Sequence, residues 1–261
     1  MVAKKSQTQA DKAFDFLVRS SVPLREIGPD GVPSGIGSCC LVDYRGRRWV
    51  LTVAHIPDDN GRWAIEMGFV DGKGAKVYVL GDVNYLGLGN LNAKTAVLDA
   101  AYVNVPNDLQ PLYQPTNEQG LIVKSVPRII FQPDLCYVPK PNRIYGFSGN
   151  ILAYRAEYFG TAQFSTELAY YTNLKLVGED EQFYFFKLPF THPGHEFFEG
   201  TSGSPICDAK NNIAGLVCGP GFEPDTIRGI KMHFFRMALD VQSQELDGEE
   251  DEGSEGKPTD H

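Results

Sequence analysis

The chain has 261 residues, 42% of them hydrophobic and 22% charged, which is room for one large unit or two small ones and little else. Its net charge of −9 is unevenly spread: residues 243–261 hold eight acids against the single Lys257, so the body is close to neutral. A neutral body with no basic stripe excludes nucleic acid as a partner, and no window approaches the ~20 apolar residues of a membrane span.

In chain order, Met1 to Thr8 has basic residues with no apolar stretch behind them, so it does not read as a secretory signal, and the expected location is cytoplasmic. Thr8-Gln9-Ala10-Asp11 has the form of a capping box, and Ala10, Ala13, Phe14 and Leu17 follow at helical spacing. These predict a short helix over 8–20 packed outside a β unit. Pro23, Pro29, Gly31, Pro33 and Gly35 then mark a loop. Short strands separated by turns follow, the pattern of an all-β barrel protein. A hairpin is expected from Ser38–Asp43 and Trp49–Ala54 around Tyr44-Arg45-Gly46-Arg47, with further strands at Trp63–Phe69, Lys76–Leu80 and Ala100–Val105. Pro106 to Pro115 reads as a connection between two barrels. The second barrel is expected to use Leu121–Phe131, Arg143–Phe147, Ile151–Tyr158, Gln182–Leu188, the pair flanking Asn211-Asn212, and Ile230–His233. Phe235, Ala238, Leu239 and Val241 suggest a closing helix. The expected division is therefore an N-terminal helix and loop (1–34), a first β-barrel (35–110), a second β-barrel with the C-terminal helix (111–242), and an acidic, disordered tail (243–261).

Three short motifs carry chemistry. Thr52-Val53-Ala54-His55 closes an apolar strand with a histidine; Asp99 interrupts the apolar run Val97 to Val103; Gly200-Thr201-Ser202-Gly203-Ser204-Pro205 sets a serine between glycines ahead of an apolar strand, Ile213–Gly219. Singly, each is ordinary, since His55 fits a satisfied histidine at a strand end and Asp99 a turn or cap residue. Together they supply what a serine nucleophile needs. The hydroxyl is weak at neutral pH and requires a base, here His55, and a buried carboxylate, here Asp99, to fix the base's tautomer. A glycine at 200 lets backbone N–H groups converge on an oxyanion.

The motifs Thr-x-Ala-His, Asp-x-Ala and Gly-x-Ser-Gly-x-Pro, in that order and with Asp99 44 positions after His55, resemble those of the chymotrypsin-fold (trypsin-like) serine peptidases. The likeness runs from about Pro33 to Val241 and is nearer the bacterial high-temperature-requirement branch than secreted digestive enzymes, without room for a PDZ domain. It implies an all-β, two-barrel fold and a serine endopeptidase working through an acyl-enzyme, with a protein or peptide substrate and neither metal nor organic cofactor. The implied triad is His55, Asp99 and Ser202, with the oxyanion donors at Gly200 and Ser202. Two departures stand out. Thr201 replaces the aspartate with which secreted relatives complete zymogen activation, so no activation by N-terminal insertion is expected. Ile56 follows the histidine where many relatives have a bridged cysteine. The five cysteines, Cys39, Cys40, Cys136, Cys207 and Cys218, are an odd number without zinc spacing and are expected to be reduced thiols.

The implied substrate pocket is the least defined region. Glu196 would select a basic side chain, whereas Phe197 and Phe198 would suit an apolar one; His192 and His195 read as loop residues. Cys218 falls on the strand implied to lie beside substrate, where many relatives have Ser or Thr, and reads as structural. The alternative function is a latent or regulatory binding module on the same fold, activated by a partner in stress response or phage defence. A general esterase is a third reading.

Overall fold

The structure, a computed structural model, describes residues 8–57, 61–70, 74–88, 96–117, 121–158, 161–191, 194 and 198–254. Helix α1 (Gln9–Ser20) starts as the capping box predicts: Asp11 N–H donates to Thr8 Oγ1 at 3.2 Å, and Thr8 N–H to the Asp11 carboxylate at 2.9 Å. Its apolar stripe buries Leu17 and Val18.

Seven strands follow: β1 (Val22–Ile27), β2 (Pro33–Tyr44), β3 (Arg47–Thr52), β4 (Trp63–Val70), β5 (Gly74–Val79), β6 (Asn84–Leu88) and β7 (Ala96–Val105). They pair antiparallel in the order β5-β4-β1-β2-β3-β7-β6. The expected hairpin forms around Arg45 (φ 54°) and Gly46 (φ 75°), the two positive values of a type I′ turn. Short strands β8 (Leu112–Tyr113) and β9 (Val126–Pro127) pair with each other, and β10 (Ile130–Phe131) adds parallel to β2 at Leu41 and Val42.

The second half is a closed barrel of β11 (Tyr145–Tyr158), β12 (Thr161–Glu179), β13 (Phe183–Lys187), β16 (Thr226–Lys231), β15 (Ile213–Pro220) and β14 (Pro205–Asp208), in that order. Its interior holds Tyr145, Phe147, Leu174, Tyr184, Phe186, Ile206, Val217 and Ile227. The outward face of the same strands, through Leu216, Cys218 and Ile230, joins Leu41, Val50, Leu51 and Val53 of the first half in one shared core. Helix α2 (His233–Ser254) closes the chain, with Phe235 and Leu239 in that core and Asp240 accepting from Tyr44 and Arg45. The architecture is the all-β, two-barrel one expected, with short helices at both ends.

Three domain boundaries shift from the expected ones, and β6, β12 and the unbroken β11 also differ from the expected strands. The stretch 22–27, read as loop for its prolines, is β1: Pro23 lies opposite Ser38 in a strand whose first four residues are buried. The segment 121–131 does not enter the second barrel; Arg128 holds it to the first half by donating to Val18 O at 2.8 Å and to Ser21 O, and the connection between barrels extends to 144. Residues 243–254, expected as disordered tail, continue α2, because Ser243 is buried with its hydroxyl on Leu239 O at 2.6 Å and Asp247 pairs with Arg47 at 2.7 Å. The remainder of the tail lies outside the described residues.

No helix among the described residues is long and apolar enough to cross a membrane. All five cysteines are unpaired thiols. The β14–β15 hairpin turns on Asp208, whose side chain is 1% exposed and accepts from Lys210 N–H, Asn212 N–H, Asn212 Nδ2 and Tyr137 Oη, with Arg143 paired to it. Burial would raise its pKa, but these donors hold it below the ordinary carboxylate value. Asp208→Ala should cost about 3–5 kcal/mol in urea denaturation, since it leaves buried donors and a guanidinium unpaired. Because the folded-state pKa is depressed, this stabilisation is complete above about pH 4 and is lost as pH falls through the folded value.

Candidate active site

His55 follows the end of β3, where Val53 is fully buried and the chain turns outward, so its ring is exposed while its base is fixed. Ile56, in place of the bridged cysteine, is 6% exposed and fills the space over Gly37, where any Cβ would lie 2.8 Å from it. Asp99 comes from β7, two strands from β2, and faces His55 squarely. His55 Nδ1 lies 2.9 Å from both carboxylate oxygens, and His55 N–H donates to Oδ1 at 3.1 Å. Burial pushes the Asp99 carboxyl up, but the His55 hydrogen bonds and charge, with a smaller pull from Arg228, more than offset this and leave it below its usual value. Asp99 is thus an anion at neutral pH. Its two bonds fix both the backbone and the ring of His55.

Ser202 sits in a tight turn at the entrance to β14. Thr201 N–H donates to Phe198 O at 2.9 Å, closing a four-residue turn with Gly200 (φ 89°) at its third position, the conformation that favours glycine in a type II turn. A Cβ on Gly200 would overlap Asn150 O and Ile36, so two barriers exclude a side chain there. This turn orientation leaves the N–H groups of Gly200 and Ser202 without an acceptor among the described residues. Two such amides, the serine's own and that of the residue two before it, can donate to a bound anion. Thr201 is fully buried, its hydroxyl donating to Phe198 O at 2.8 Å, and offers no carboxylate to an incoming ammonium.

The Ser202 turn and the His–Asp pair come from different halves, and Ser38 of β2 joins them. Ser38 N–H donates to Ser202 O at 2.9 Å, its hydroxyl to Gly200 O at 2.7 Å, and its carbonyl accepts from Thr52 Oγ1 at 2.8 Å, three residues before His55. Behind the turn, Ser204 Oγ meets Ser21 Oγ at 3.0 Å. Among the described residues Ser202 Oγ makes no hydrogen bond to His55; such contacts are often long before substrate binds. Ser38 and Ser21 were missed in the sequence. The signal for Ser38 was a hydroxyl inside a buried stretch of strand, and Ser21, at the C-cap of α1, stood beside no motif.

The proposed pocket residues fare differently. Glu196, Phe197, His192 and His195 lie outside the described residues. Phe198 is barrel core, 4% exposed and stacked on Tyr171 at 4.8 Å, so it does not wall an open pocket. Cys218 is likewise buried, its Sγ 3.5 Å from Leu216 O and 4.0 Å from Asp99 O, and burial raises its thiol pKa well above the ordinary value. It spaces Asp99 from the second barrel. Beyond Val217, which exchanges hydrogen bonds with Gly203 and Ser204, no described strand pairs with the side of β15 that faces the Ser202 turn. That edge is open to an added strand until Pro220, which has no N–H to offer.

Solved structures share this fold. The serine endoprotease from Yersinia pestis aligns with 92% of this chain and 67% of its own at a TM-score of 0.50 and 14% identity. The human heparin binding protein aligns with 85% of this chain and 90% of its own at a TM-score of 0.54 and 9% identity. The chain has a chymotrypsin-like fold. No protein-family model matches it, and no curated protein matches it in sequence. One neighbour is named for cleaving protein and the other for binding heparin, so the fold does not decide the activity and the site must carry it.

Proposed function

We propose that the chain is a serine endopeptidase that hydrolyses peptide bonds through an acyl-enzyme. The observation that carries this reading is the His55–Asp99 pair, with Nδ1 2.9 Å from both carboxylate oxygens, together with a serine turn whose Gly200 and Ser202 amides have no acceptor among the described residues. His55 takes the Ser202 proton as the hydroxyl attacks the carbonyl carbon, and the resulting oxyanion accepts from the two amides. His55 then gives its proton to the leaving amine. Water attacks the acyl-enzyme by the same route and regenerates Ser202.

The latent-module alternative would be favoured by a Gly200 amide turned into the protein or bonded internally. The open turn instead favours an assembled site. The test is labelling of the purified chain with a fluorophosphonate probe. Wild-type protein should be labelled and Ser202→Ala should not, while the two share a thermal midpoint. A folded wild type that resists the probe would sink the peptidase reading in favour of the latent module. Ester turnover without peptide turnover would narrow it to an esterase.

A further inference from the structure

Among the described residues, Arg228 is a cation without a carboxylate partner beside the candidate site. On β16 it pairs directly with Gly219 of β15, and directly opposed residues present their side chains on one face. That face is the outward one, since Ile230 two residues on belongs to the core shared between the halves and the neighbouring Ile227 points into the barrel; a register shift between Val217 and Gly219 brings Gly219 opposite Arg228. Gly219 contributes nothing to it: a Cβ there would find no atom within 4 Å. The space over Gly219 is therefore open, one residue from Cys218 and its 4.0 Å contact with Asp99 O.

The surroundings of Arg228 are aromatic rather than acidic. Its guanidinium lies 4.9 Å from the Phe183 ring. Phe185, its direct partner on β13, packs at 5.0 Å against Phe222, which is 86% exposed. Among the described residues no ion pair or hydrogen bond reaches the guanidinium, and its Nε is buried without an acceptor. Its charge is felt at Asp99, which is already committed to His55. A half-buried cation on an aromatic floor, open on one side, is a receptor for a carboxylate.

We propose that Arg228 binds an Asp or Glu side chain of the substrate over Gly219, so that the enzyme selects peptides carrying an acid within a few residues of the cleaved bond. This rests on the peptidase reading above. The experiment uses the full chain and internally quenched peptides in which Asp, Asn, Glu, Gln and Lys are placed singly at each position flanking the cleavage site. At one position the kcat/KM ratio of Asp over Asn, or Glu over Gln, should be about 10- to 100-fold and should shrink with added salt. Arg228→Gln should bring that ratio to about one, and Arg228→Lys should keep part of it. A ratio near one in wild type, or one that survives Arg228→Gln, overturns the inference. So does an equal loss on acidic and neutral peptides, which would make Arg228 only a support for Asp99. Fluorophosphonate labelling separates the two levels. Labelling without acid preference overturns this inference alone; no labelling overturns the peptidase reading and this one with it.

Discussion

Asp99→Asn should lower kcat by about 10⁴-fold while leaving the fold in place. Asp99 now accepts twice from His55, from the backbone N–H at 3.1 Å and from Nδ1 at 2.9 Å. Asparagine has one acceptor oxygen. If it keeps the backbone bond, its NH₂ faces Nδ1, which must then be the unprotonated nitrogen. The ring proton moves to Nε2, and the face turned to Ser202 no longer holds a base. The substitution also removes a whole negative charge, because the depressed pKa keeps Asp99 ionised at neutral pH. The imidazolium formed during attack loses its counter-ion at the same time. Single-turnover kinetics and the rate of fluorophosphonate labelling would measure the loss, with a thermal melt as the control. A change below about tenfold would show that the pair is only a structural contact and that the chain performs no triad chemistry.

That pair was legible in the sequence because its signals are local. His55 ends an apolar strand and Asp99 breaks one, and neither pattern depends on distant residues. The two-barrel architecture was legible for a similar reason, in short apolar runs divided by turn residues. What escaped was set by packing across the molecule. Ser148-Gly149-Asn150 looks like a turn, so two strands were expected where β11 runs unbroken. Gly149 stays in the strand because Thr201 of the nucleophile turn lies over it, 2.9 Å from where a Cβ would be. The 19-residue β12 was missed because Leu168, Tyr170 and Val177 are exposed, leaving Leu174 as its one fully buried residue among those described, and register shifts break the two-residue period. Pro23 argued against a strand at 22–27, yet β1 is buried there, since Val22 and Leu24 point into the core on either side of it. The acidic composition of 243–254 argued for disorder, and a few contacts to Leu239 and Arg47 override it. The pocket region from 192 to 197 gave no pattern that decides a specificity.

Gly203→Ala should be the most damaging single methyl group in the chain, costing at least about 3 kcal/mol of stability and disabling the site. Two effects add. Gly203 has φ 83°, a conformation that costs an L-residue roughly 1–2 kcal/mol. The added Cβ would also overlap Ser38 O and Thr52 Oγ1. Neither neighbour can yield cheaply: Ser38 O is strand backbone, and Thr52 Oγ1 is bonded to it at 2.8 Å. The turn must therefore move away from β2, which stretches Ser38 N–H to Ser202 O and Ser38 Oγ to Gly200 O, the two bonds that join the nucleophile to the half bearing His55. Gly46→Ala is the control. It shares a positive φ of 75° but has nothing within 4 Å of its Cβ, so only the backbone cost of about 1 kcal/mol applies. Urea denaturation of the two variants isolates the contact term, and probe labelling reports the site. If Gly203→Ala matched Gly46→Ala in stability and kept its labelling, the close approach of turn to strand would not be what assembles the two halves. Loss of both in Gly203→Ala alone would identify Ser38 as the joint on which that assembly depends.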